Sequence, residues 1–316
     1  MRKILLLVVL FPSVLFSQKL DHTASYRDIP SERYFRFNYD NDYFDATDRN
    51  YTQGYSFELV LPVLEKNPIN RLLIAPKENS KRYGVAVEHI GYTPHYYERP
   101  EIQDGDRPFA AAIMLKSFVI TTNSSKKSRL SSSLSLGLIG PGAFGKEMQV
   151  GIHKATGNDI PLGWKHQIKN DVVVNYNVHY EKQVLRYENI WSVQADASAN
   201  LGTLFTNASI GVNSSFGILN QPFSANTERK FKLYAYIHPA VSVIGYDATL
   251  QGGVLNKESP YIIDSSAVER LTAQFNYGLV LQTRTLYFEY ARSLITREFE
   301  TGTPAGWGGI KIGFTF

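Results

Sequence analysis

Residues 172–181 read VVVNYNVHYE. Val172, Val174, Tyr176, Val178 and Tyr180 take alternate positions, and Asn175, Asn177, His179 and Glu181 stand between them. Successive side chains of a strand point to opposite faces, so this period of two predicts a β-strand with one apolar and one polar face. The alternation recurs elsewhere. In RYFRFNYDND (33–42), Phe35, Phe37 and Tyr39 share one face, and Arg36, Asn38 and Asp40 share the other. In YTQGYSFELVL (51–61), Tyr51, Tyr55, Phe57, Leu59 and Leu61 are expected on the apolar face, opposite Thr52, Gly54, Ser56 and Glu58. LTAQFNYGLVLQ (271–282) repeats the pattern with Leu271, Ala273, Phe275, Tyr277 and Leu279.

About twelve such strands are expected, near 32–42, 50–62, 81–94, 107–122, 129–141, 167–181, 189–201, 203–216, 230–245, 264–281, 283–296 and 306–316. Turn-rich pieces such as TNSSKKS (122–128) and NQPFSANTE (220–228) separate them. Many strands reach ten residues, enough at a tilt of about 45° to cross a bilayer's hydrocarbon layer. Two all-β readings compete. A soluble sandwich would bury the apolar faces against each other. A transmembrane antiparallel outer-membrane β-barrel would turn them to lipid and fill its lumen with the polar faces. The barrel is favoured by the Asn, His, Glu and Arg of the polar faces, by Tyr and Phe near strand ends, and by the final strand GGIKIGFTF, which closes on Phe316.

The chain's start agrees. MRK is followed by the apolar run ILLLVVLFPSVLF, and Ser17 offers a small residue before a polar stretch. Residues 1–17 are read as a secretory signal peptide, too short to span a membrane, and 18–316 as one barrel domain. Across 316 residues there is no cysteine, which excludes disulfides, thiolate metal sites and a lipoprotein anchor. The net charge of +4, carried without a basic stripe, argues against a nucleic-acid partner.

One segment lacks the period of two. GPGAFGKEMQVGIHKATG (140–157) opens on Gly-Pro-Gly and spaces Met148, Ile152 and Ala155 helically. It predicts a short extracellular helix over 143–156 ended by Gly157, with Gln149 and His153 on one face. A second irregular piece, NDYFDATDRNYTQG (41–54), gathers carboxylate, amide and hydroxyl oxygens between two strands. Such oxygens suit a hard cation like calcium, and they equally suit an ordinary polar turn. The EF-hand glycine is absent, and scattered histidines do not suit zinc.

Taken in order, DRNYTQG (48–54), GDRPFAA (105–111), LGLIGPGAFGKEMQVGIHKATG (136–157) and PLGWKHQ (161–167) resemble the lipid A 3′-O-deacylase family of twelve-stranded outer-membrane barrels. The resemblance is densest over residues 37–170. It implies a calcium-dependent carboxylic ester hydrolase that removes the 3′-linked acyloxyacyl chain of lipid A in the outer leaflet. On this resemblance His153 is the catalytic histidine, Asn41 a catalytic amide and Asp159 the partner of His153, standing where the family can have Glu. Asp42, Thr52 and Gly54 would hold Ca²⁺. Gln149 and Arg99 would meet substrate, and Arg107 belongs to an Asp-Arg-Pro motif of structural character. Asn41 and Asp42 are sequence neighbours, so they cooperate only at a strand end or bulge. Lipopolysaccharide is the implied partner, the outer membrane the location and a monomer the implied state. The rivals are a non-enzymatic barrel, pore or adhesin, and a Ser-His outer-membrane phospholipase. The latter's His-x-Ser motif is missing.

Overall fold

The computed structural model describes residues 23–42, 50–77, 79–223 and 230–316. The expected signal peptide lies outside these residues. Twelve antiparallel strands form a closed barrel in which each pairs with its sequence neighbours and β1 closes on β12. They are β1 (Tyr34–Asn41), β2 (Asn50–Val60), β3 (Ser80–Thr93), β4 (Ala110–Asn123), β5 (Ser128–Ile139) and β6 (Asp171–Tyr187). The second half holds β7 (Trp191–Gly202), β8 (Phe205–Ile218), β9 (Lys232–Asp247), β10 (Leu271–Gln282), β11 (Leu286–Ile295) and β12 (Ala305–Thr315). Two helices are α1 (Gly145–Thr156) and α2 (Ala248–Gln251). Among the described residues no helix is long and apolar enough to cross a membrane.

The strand that opened the reading decides between barrel and sandwich. Val172 and Val174 are 48% and 43% exposed, whereas His179 and Glu181 are 4% and 0% exposed. A sandwich buries its apolar faces; here they point outward and the polar ones inward. Leu115, Leu136, Leu201, Ile210 and Val243 continue that apolar exterior. Closure also removes every sheet edge, so backbone groups pair throughout the wall.

One end of the barrel carries the short turns 124–127, 188–190 and 283–285, and the other the long connections 94–109, 140–170 and 248–270. Short turns mark the periplasmic end and long loops the extracellular end. At the periplasmic end residues 23–31 fold into the lumen. Arg27 pairs with Glu289 at 2.8 Å and donates to the Tyr236 hydroxyl at 2.7 Å. Ser25 donates to Glu181 through its backbone N–H and its hydroxyl. Asp28 lies between Arg82 at 2.6 Å and Arg129 at 2.5 Å. Burial alone would raise the Asp28 carboxyl, but the Arg129 and Arg82 guanidiniums outweigh it and hold the group well below the usual carboxylate range. Arg36–Glu58 and Lys311–Asp40 add buried pairs above this plug.

Candidate active site

The oxygen-rich segment sits at the extracellular ends of β1 and β2. Residues 43–49 lie outside the described residues, so Asn41, Asp42 and 50–54 carry the description. β1 ends at Asn41, which pairs with Gln53 of β2. Between β2 and β3, Tyr51 stands opposite Tyr92 and Gln53 opposite Gly91, which leaves Thr52 as the extra residue of a β-bulge. The strand end and the bulge are the irregularities that the Asn41–Asp42 pair requires.

The bulge also moves a side chain. Tyr51 was expected on the apolar exterior with Tyr55. Instead it turns into the lumen, with ring centroids 5.3 Å from Tyr92 and 5.0 Å from Trp307. One inserted residue reverses the facing of everything beyond it. Gly54 makes the space: a Cβ there would fall 1.9 Å from the Tyr51 hydroxyl oxygen. The glycine of this motif thus has a steric reason, and toward a cation it offers only backbone oxygen.

Gln53 and His89 point outward yet are 2% and 4% exposed, while the outward Val87 is 44% exposed. Something covers the wall here. His89 Nε2 donates to the Ala143 carbonyl at 3.0 Å, on the turn that enters α1. Gly145 then lies so close to the wall that a Cβ on it would fall 2.4 Å from Ala111 Cβ. Gly145, Gln149 and His153 form the buried face of α1, as the four-residue spacing predicts. Ala111 pairs with Gly91, Gly91 with Gln53, and Gln53 with Asn41. The register thus lines up Asn41, the bulge and the start of α1 across four adjacent strands. Gly157 ends the helix at φ 74°, with its N–H returned to the His153 carbonyl, the left-handed stop expected from sequence.

His153 Nδ1 lies 2.6 Å from the backbone carbonyl of Asp159. A carbonyl only accepts, so Nδ1 carries a proton and the lone pair of the neutral ring sits on Nε2. Asp159 was expected to meet the ring through its carboxylate; it is the Asp159 backbone that orients the ring, while its side chain is exposed. Tyr97 meets the same imidazole edge-on at 5.2 Å. Gln149 Oε1 accepts from the Trp164 indole at 2.7 Å. Since an indole N–H only donates, this fixes the amide and leaves its Nε2 as the inward donor. Gln149 Nε2 and Gln53 Nε2 are both buried with no hydrogen-bond acceptor among the described residues. A buried donor left unmade costs on the order of 1–3 kcal/mol, which a ligand oxygen would recover. The sequence reading missed Gln53, because alternation with Tyr55 and Phe57 puts it on the lipid-facing side and nothing local shows that this stretch of wall is covered.

Asp42 is 1% exposed, and the Thr52 hydroxyl lies 2.5 Å from that of Thr93. Among the described residues no three His, Asp or Glu side chains converge to hold a metal. A cation beside Asp42 would rest on hydroxyl and backbone oxygens, and a bulge frees such oxygens from the sheet ladder. The donor set is all oxygen and suits a hard ion. Arg99 is exposed at the rim and stacks over Tyr96 at 4.1 Å. Arg107 is buried, pairs with Glu298 at 2.6 Å and covers Tyr92, so its part is structural, as expected. A cavity of about 190 Å³ lies in the lumen among Asn175, His179, Asp196 and His238 and touches none of the expected site residues.

The family model described as outer membrane protein LpxR matches residues 4–316. LpxR from Salmonella typhimurium superposes with a TM-score of 0.73 at 17% identity, covering 90% of this chain and 100% of that one. The β domain of the Bordetella autotransporter BrkA reaches a TM-score of only 0.47 at 7% identity, covering 90% and 98%. No curated protein sequence matches. With nearly its whole length matched, the chain belongs to the outer membrane protein LpxR family, the lipid A 3′-O-deacylases that its motifs resemble.

Proposed function

We propose that the protein hydrolyses the ester of the 3′-linked acyloxyacyl chain of lipid A, using water activated by His153. The observation that carries this reading is the buried polar group on the outer wall at α1. There a buried imidazole with its lone pair on Nε2 shares a helix face with Gln149, and Gln149 and Gln53 each hold a donor with no acceptor among the described residues. Ester hydrolysis asks for this combination: a base for the attacking water and donors for the oxygen that gains negative charge.

His153 Nε2 takes the proton from water as its oxygen attacks the carbonyl carbon. The imidazolium then returns that proton to the sugar 3′ oxygen as the ester C–O bond breaks, leaving the freed acid and the sugar hydroxyl. The Asp159 carbonyl keeps the ring oriented through the step and accepts from the imidazolium that forms. Gln149 Nε2 and Gln53 Nε2 donate to the carbonyl oxygen, and Asn41, opposite Gln53, supplies a further amide. Asp42, Thr52 and the backbone at Gly54 would hold calcium, which when bound polarises the ester carbonyl. Arg99 at the rim receives a lipid A phosphate. The site lies on the outside of the barrel near its extracellular end, at the depth where the acyl ester of an outer-leaflet lipid meets its sugar.

Expression in an outer-membrane host followed by mass spectrometry of lipid A tests the reading. A mass loss equal to one acyloxyacyl unit is expected. Unchanged lipid A from correctly inserted barrel would overturn it.

A further inference from the structure

Among the periplasmic connections, 61–79 is far longer than the short turns at that end. It does not hang below the barrel. It folds back over the outer wall. Ser117, Val119 and Thr121 of β4 point outward, opposite in sense to the lumen residues Met114 and Lys116, yet all three are buried. Ser132 of β5 points outward and is buried as well. Asn67 Nδ2 donates to the Ser117 hydroxyl at 3.1 Å, and the Ser132 hydroxyl donates to the Ile74 carbonyl at 3.0 Å. The outward Tyr176 hydroxyl of β6 donates to the Leu72 carbonyl at 2.9 Å and accepts from the Ile74 N–H at 3.1 Å. The segment is thus a strap across β4, β5 and β6. Ser117 stands six residues inside the end of β4, on the order of 20 Å along the strand, which is well within a hydrocarbon layer.

We propose that this strap lies in the bilayer and packs against the acyl chains of phospholipids on the periplasmic side. Its outward side chains Val63, Leu72 and Ile74 are exposed and continue the apolar wall of Leu115, Leu136 and Val174. The backbone is prepared for a medium without water, where each polar group needs a partner inside the protein. Two successive 3₁₀ turns return the N–H groups of Leu64, Asn67, Asn70 and Leu73 to carbonyls three residues back. Pro62 and Pro68 begin those turns and have no N–H to satisfy. Asn67 caps the second turn by accepting from the Ile69 N–H, and Asn70 donates to the Leu64 carbonyl. Lys66, Arg71 and Lys77 are exposed beside the apolar side chains and can reach the headgroups as snorkelling cations. The strap hides a patch of wall hydroxyls from lipid and presents an apolar surface in their place.

The chain has no cysteine, so single labels can be placed cleanly. Val63→Cys, Leu72→Cys and Ile74→Cys would carry an environment-sensitive fluorophore, in nanodiscs of phosphatidylethanolamine and phosphatidylglycerol doped with tail-spin-labelled phosphatidylcholine. Leu115→Cys on the bare wall and Ser124→Cys in the turn at 124–127 set the lipid and water limits. The expected result is blue-shifted emission at positions 72 and 74, quenched by the tail label as strongly as at position 115. Emission like that at position 124, quenched by aqueous iodide and not by the tail label, would overturn the proposal.

Discussion

Two regions of this protein bury polar side chains, and they bury them differently. In the periplasmic half of the lumen the charges are matched: Arg27 with Glu289, Arg36 with Glu58, and Asp28 with both Arg82 and Arg129. Under α1 on the outer wall no charge pairs are found among the described residues, and the neutral amides of Gln53 and Gln149 keep donors that no described residue accepts, as Arg36 Nε and Asn38 Nδ2 also do inside. Ion pairs hold the lumen in shape even where single donors go unmatched, whereas the outer-wall donors stand near a histidine with no described charge pairs about them. On the proposed function the lumen is the scaffold and the outer wall carries the chemistry. The same contrast bears on the pore reading, because the N-terminal segment fills the periplasmic end of the lumen with these pairs.

The contrast breaks if changes outside alter stability or changes inside alter chemistry. The largest effect is expected from His153→Ala. Losing the base should cut lipid A deacylation by roughly 10²–10⁴-fold while the heat-modifiable, folded band on cold gels is kept. Gln149→Leu should lower turnover by about 10²–10³-fold, the usual worth of one oxyanion donor, and Gln53→Leu should act the same way. Equal rates for Gln53→Leu and the parent in a lipid A release assay would remove Gln53 from the site. Arg27→Ala should do the reverse. Removing one partner of a buried pair costs about 3–5 kcal/mol, read as a lower urea midpoint in detergent refolding, with activity per folded molecule unchanged. Asp159→Ala should change the rate least, because the residue serves through its backbone carbonyl; a loss as deep as that of His153→Ala would show that its carboxylate acts.

Acidification sharpens the comparison further. Asp28 has its folded-state value lowered, so its contribution to stability is present at neutral pH and fades as pH falls below the ordinary Asp range near about 3.9. The plug should therefore loosen in strong acid, and Asp28→Asn should flatten that part of the pH–stability curve.

Most of the fold was legible because a lipid-facing strand must alternate, and alternation is visible residue by residue. All twelve strands overlap the stretches where the period of two places them, with ends displaced by up to seven residues, most at the start of β10 and the end of β6. The helix was legible through its broken alternation and its terminal Gly157. Tyr51 was placed on the wrong face because one bulge inverts the count, and nothing in YTQG marks Thr52 as the extra residue. The connection 61–79 read as turn sequence, since its partners Ser117, Ser132 and Tyr176 lie about 50 residues or more away.

By itself, then, the sequence determined which faces are apolar, how many strands there are, and which histidine sits on a helix among four ordered motifs. Those are local properties, set by side-chain period and backbone conformation. Only closure of the barrel decided that α1 seats on the outer wall at His89 and Ala111, that a carbonyl and not a carboxylate orients His153, and that 61–79 wraps the lipid side. These depend on which strands become neighbours in space, a long-range outcome that no single segment encodes.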